Sequence, residues 1–77
     1  MSASNYGAQQ LDEIMTRLGI SNSDIVNAST EQLTHKMVQK GRKGRRLTPH
    51  LKQKIANALN ACQKEQVFTI RELFNYG

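Results

Sequence analysis

The residues best suited to chemistry in this chain are its cations. From Lys36 to Lys54 there are eight basic side chains and no acidic one, while the remaining residues carry three basic and six acidic. Five of the eight, Lys40, Arg42, Lys43, Arg45 and Arg46, fall within seven residues. The net charge of +5 is therefore collected in one place. Evenly spread charge would serve solubility, whereas a concentrated run points to a polyanion, whose phosphates it neutralises with release of counterions. Gly41 and Gly44 interrupt the run, and glycine lets a backbone approach a phosphate closely. Thr48 and Pro49 follow, a capping hydroxyl and then proline at the first helical position. Amides at a helix N-terminus attract phosphate, as does the helix dipole. A localisation signal or a solubilising loop would share this composition. The helix opening directly after the run favours a docked function.

A second group precedes the run. Thr30, Gln32, His35, Lys36 and Gln39 lie where a helix is expected, with Gln32, His35, Lys36 and Gln39 clustered on one side of it. Gln, Lys and His can reach base edges in a major groove, and Lys also takes phosphate. Any solvated helix face can look the same. His35 and His50 stand apart from any Cys/His/Asp/Glu ligand set, so no metal is expected. Cys62 falls on an apolar stripe and reads as packing. No Ser-His-acid pattern, glycine-rich phosphate fingerprint or carboxylate pair stands out. Seventy-seven residues without tryptophan and 38% apolar leave little from which to line a deep pocket. The expectation is a non-enzyme without cofactor.

These groups need a scaffold, and the scaffold reads as helical. Met1 to Gly7, rich in Ser and Asn, suggests a flexible end, with one domain over residues 8–77. Leu11, Ile14, Met15 and Leu18 recur at helical spacing, predicting a helix from Ala8 to Leu18 stopped by Gly19. Ser21 and Asp24 have capping spacing for a second helix to about Ala28. Ser29 and Gln32 fit another capping box, predicting a third helix that reaches Lys40 and is separated from the second by almost no chain. That is the geometry of a helix-turn-helix. The stretch from Gly41 to Arg46 then reads as a mobile basic loop. A fourth helix runs from Thr48-Pro49 to about Cys62, with Leu51, Ile55, Ala58, Leu59 and Cys62 inward. A hinge over residues 63–66 leads to Thr69 and Glu72, a capping box inside the staple pair Phe68 and Leu73. A last short helix ends near Asn75-Tyr76-Gly77. The predicted core is Leu11, Ile14, Met15, Leu18, Ile25, Val26, Leu33, Met37, Leu51, Ile55, Leu59, Leu73 and Phe74. No segment alternates as a strand does.

From Arg46 to Asn60 the chain reads RLTPHLKQKIANALN. This stretch resembles the lambda-repressor-like (Cro-type) helix-turn-helix family, in which a basic turn, Ser/Thr-Pro and an Ile-Ala-x-Ala-Leu helix recur. Five short helices with the second and third forming the turn fit the same layout. Residues 22–29 lack the Gln, Ala and Gly that family members usually carry at the second helix and turn. A competing register places the turn at residues 18–23 and the reading helix over residues 23–28, which contain Asp24 and no cation.

The expected architecture is thus an all-α, single-domain bundle of four to five short helices containing a helix-turn-helix. The expected function is double-stranded DNA binding by a small transcriptional regulator. The helix of residues 30–40 would enter the major groove while Lys40, Arg42, Lys43, Arg45, Arg46 and Thr48 clamp phosphates. A basic RNA- or ribosome-binding protein and a protein-interaction adaptor remain open. A homodimer is compatible with the sequence. One cysteine, no visible signal peptide and no apolar stretch near 20 residues suggest a cytoplasmic, or nucleoid-associated, protein without a membrane partner.

Overall fold

Caps decide where the helices of this chain begin. The computed structural model describes Gly7, residues 9–64 and residues 66–74. Among these lie α1 (Gln10–Leu18), α2 (Asn22–Ala28), α3 (His35–Lys43), α4 (Pro49–Cys62) and α5 (Ile70–Leu73). The α2 cap is reciprocal: Asp24 N–H donates to Ser21 Oγ at 3.1 Å, and Ser21 N–H donates to Asp24 Oδ2 at 2.9 Å. Thr34 Oγ1 accepts from Met37 N–H ahead of α3, and Thr48 Oγ1 from Leu51 N–H ahead of α4, each at 3.2 Å. Before α5, Glu72 Oε1 accepts from the Thr69 N–H at 2.9 Å. The all-α class and the element order follow the sequence reading.

Packing binds the five helices into one bundle. α2 lies on α3 and α4, α1 lies on α3 and α5, and α4 also meets α5. Leu11, Met15, Ile25, Val38, Ile55, Leu59 and Leu73 are fully buried between them. Removing each such side chain from water contributes about 1.5–3 kcal/mol, the main favourable term in a domain this small. Of the expected core, Leu18, Val26, Met37 and Leu51 are only partly buried and pack against its edge. Val38, Leu47 and Phe68 join the core instead.

The third helix departs most from expectation. It starts at His35 and ends at Lys43, a shift of several residues toward the C-terminus at both ends. Ser29 does not cap it. The Ser29 hydroxyl closes a local turn with the N–H and carbonyl of Glu31, at 3.1 and 2.8 Å. Thr34 wins the cap because Leu33 before it and Val38 after it occupy the two staple positions, and both are buried. Six residues, Ser29 to Thr34, therefore separate α2 from α3, where almost none were expected.

At its other end α3 absorbs half of the supposed basic loop. Gly41 is buried inside the helix, and a Cβ there would lie 3.2 Å from Leu47 Cδ1 and 3.3 Å from Ile55 Cδ1. Its lack of a side chain lets α3 sit close to the core. Gly44, at φ 89°, is the left-handed residue that stops the helix. The Arg45 N–H donates to the Lys40 carbonyl at 3.0 Å, the long bond of a Schellman cap. A Cβ on Gly44 would fall on the Gly7 carbonyl. Gly7 is thus packed against the bundle, not frayed from it, and Gln9 N–H donates to the Arg42 carbonyl at 3.0 Å. The expected flexible end over residues 1–6 lies outside the described residues, whereas α1 starts at Gln10 behind an extended Gln9 and not at Ala8, and α5 stops at Leu73 before an extended Phe74, short of residues 75–77.

Candidate nucleic-acid interface

The phase of α3 sorts its residues into two sides. At about 100° per residue, His35, Gln39, Lys43, Lys36 and Lys40 fall in one arc of about 140°. All five are exposed. Met37, Val38 and Gly41 fill the opposite side, buried or partly so, while Arg42 lies at the edge of the arc, about 20° from His35. A nine-residue helix thus presents three ammonium groups, an imidazole and an amide to solvent with no carboxylate among them. Lys43, read from sequence as a loop residue, belongs to this helical face. Arg45 and Arg46 continue it, exposed just past the Schellman cap.

Arg42 is the exception in the basic run. Its Nε donates to Asp12 Oδ1 at 2.6 Å, its Nη1 to Asn22 Oδ1 at 2.8 Å and its Nη2 to Thr16 Oγ1 at 3.4 Å. These partners lie on α1 and α2, so the guanidinium ties three helices together. A planar fork with several fixed donors suits this task. Arg42 braces the bundle, with each of its three guanidinium nitrogens engaged by a protein partner. Its partners make it the exception, because Asp12, Asn22 and Thr16 draw the guanidinium toward α1 and α2 from the edge of the exposed arc.

The expected reading face also loses members. Thr30 and Gln32 precede α3 and sit, exposed, in the link from α2. That link is held against α4: Lys54 Nζ donates to the Gln32 carbonyl at 3.4 Å, and His50 Nε2 lies 3.9 Å from Glu31 Oε1. Gln39 stays on the exposed arc, but its Oε1 accepts from Asn22 Nδ2 at 2.9 Å. The pairing of Asn22 with Gln39 escaped the sequence reading because nothing in a spacing of 17 residues signals a contact between two amides.

The start of α4 offers less than expected. Pro49 has no N–H, Leu51 N–H is taken by Thr48 Oγ1, and Lys52 N–H goes to the Thr48 carbonyl at 3.0 Å. Of the first-turn amides, that leaves His50 N–H to meet an anion. Thr48 is exposed and keeps its hydroxyl proton to donate. Lys52, on the same helix, is buried.

Elsewhere the chemistry is sparse. Cys62 is partly buried, and its Sγ lies 3.3 Å from the Asp24 carbonyl. Desolvation raises its thiol above the ordinary range, and the Asp24 carboxylate adds to the rise. A nucleophilic cysteine needs the opposite shift. Among the described residues no three His, Cys, Asp or Glu side chains are grouped to hold a metal ion. A cavity of about 290 Å³ between α1 and α5 is lined by Gln10, Glu13, Ile14, Arg17, Phe68 and Glu72, among others. Among the described residues no helix is long and apolar enough to cross a membrane.

The competing register finds α1 and α2 joined by Gly19, Ile20 and Ser21, a shorter link than that between α2 and α3. α2 nevertheless carries Asp24 and no cation. Comparison with protein-family models, with curated proteins and with solved structures returned no match.

Proposed function

We propose that this chain binds duplex nucleic acid, DNA before RNA, with the exposed face of α3 directed at a groove and Arg45, Arg46 and Thr48 at the flanking phosphates. The observation that carries the reading is the arc of Lys36, Lys40 and Lys43 with no carboxylate among them. A helix of nine residues is about 13 Å long and about 10–12 Å wide, which suits the roughly 12 Å major groove of B-DNA. The deep, narrow major groove of A-form RNA does not admit a helix. Single-stranded binders stack bases on exposed aromatic rings. Among the described residues the aromatic rings are those of Phe68 and Phe74, and both are buried. The resemblance of residues 46–60 to Cro-type proteins supports the same partner and, with it, a role as a small transcriptional regulator.

Competition among duplex DNA, duplex RNA and single strands, at rising salt, tests this. Preference for duplex DNA with a steep salt dependence is expected. Preference for RNA would move the partner to the ribosomal class. Loss of all nucleic-acid affinity by about 100 mM salt would favour a protein-interaction adaptor.

A further inference from the structure

Four polar side chains on three helices form a chain of hydrogen bonds that ends on the proposed reading face. It begins at Asp12 on α1, passes through Arg42 on α3 to Asn22 on α2, and returns to Gln39 on α3. The distances along it are 2.6, 2.8 and 2.9 Å. Its direction follows from chemistry. A guanidinium has only donors, so the Asn22 atom facing Arg42 is the carbonyl oxygen. The other end of that amide is therefore its NH₂, which donates, so the Gln39 atom facing it is also a carbonyl oxygen. What Gln39 has left is both hydrogens of its own NH₂ and the second lone pair of an oxygen that Asn22 holds in place.

We propose that this relay makes Gln39 a specificity-determining residue that reads hydrogen-bond acceptors, guanine above other bases. The proposal rests on the duplex-binding reading and sharpens it. A glutamine with both ends available pairs bidentately with adenine, giving its oxygen to N6 and its nitrogen to N7. With one lone pair of the oxygen taken and its direction pinned by Asn22, only the second lone pair is left for N6, and that pairing is weakened. Two amide hydrogens remain, and guanine offers two adjacent acceptors, N7 and O6, in the major groove. Adenine and cytosine each place an amino group there, which an NH₂ donor cannot satisfy.

The test is a randomised-duplex selection with the parent and Asn22→Asp. The substitution keeps the shape and the bond to Arg42 but removes the donor. Gln39 must then donate to the carboxylate that replaces the Asn22 amide and turn its own oxygen outward. The parent should favour guanine over adenine at one position by about tenfold, within the range of a good base contact. Asn22→Asp should move that position to a base bearing an amino group, adenine or cytosine. The same motif in both proteins would overturn the proposal, as would a parent that binds duplex without any preferred base. A parent that binds no duplex instead removes the reading beneath it. Side-chain amide exchange in the unmutated protein, followed by NMR, tests the relay without relying on the variant's folding. Asn22 amide protons should exchange with water more slowly than those of Gln39, and equal or inverted rates would overturn it.

Discussion

Lys40 and Arg42 stand two residues apart in the same basic run, yet the two sides of α3 on which they lie have different work. The outward side carries Lys36, Gln39, Lys40 and Lys43 in solvent. The inward side carries Val38, Gly41 and Arg42, locked to α1, α2 and the core. A charge count treats both sides alike, since each holds cations. Partners separate them: Lys36, Lys40 and Lys43 lie in solvent, while the Arg42 guanidinium is held by Asp12, Asn22 and Thr16. Substitutions should therefore act on stability when they fall on one side and on binding when they fall on the other.

The inward side should give the largest effects. Gly41→Leu forces a branched side chain into a space where even a Cβ lies 3.2 Å from Leu47. Overpacking of this kind costs about 1–3 kcal/mol. Urea denaturation should show a lower midpoint, while Lys40→Leu, one residue earlier, should leave stability nearly unchanged. Equal effects at both positions would break the two-sided picture.

Arg42→Ala comes next. Loss of three charge-assisted bonds should cost about 1–2 kcal/mol, moderated because Arg42 and Asp12 keep some exposure to solvent. Thermal unfolding should fall by several degrees, at about 4–8 °C per kcal/mol in a domain of this size. Arg42→Lys should recover little, because an ammonium lacks the fork. The dependence of duplex affinity on salt should keep its slope in both variants.

Cys62 gives the smallest effect. The folded protein holds on to a thiol proton that the unfolded chain releases at about pH 8.5, because the folded thiol lies higher. Stability should decline as pH rises through that value and onward to the folded thiol's own range. Cys62→Ala should flatten the decline, as read from urea midpoints between about pH 7 and pH 10.

Much of this architecture was legible because its signals are local. Ser21 with Asp24, Thr48 with Pro49 and Thr69 with Glu72 lie within a few residues of the turns they start, and each starts a helix where expected. α3 was harder because two caps competed. Ser29 and Gln32 have the better capping spacing, but burial of Leu33 decides for Thr34, and burial belongs to the packed core and not to the local sequence. The same shift turned Gly41, Arg42 and Lys43 from loop to helix and moved Thr30 and Gln32 off the reading face. The identity of the basic segment was readable from charge alone. Which cations face outward depended on the helix start, and the bracing of Arg42 by Asp12 and Asn22 depended on contacts 30 and 20 residues away in sequence.

The central claim is that the outward face of α3 neutralises phosphate. It is tested most directly by the slope of log K against log[salt] for duplex DNA in the parent, Lys36→Ala, Lys40→Ala, Lys43→Ala and Arg42→Ala. Each outward lysine that meets a phosphate should lower the slope by about 0.9 when removed, and Arg42→Ala should leave it in place. A slope that falls with Arg42 and stays constant with all three lysines would contradict the account.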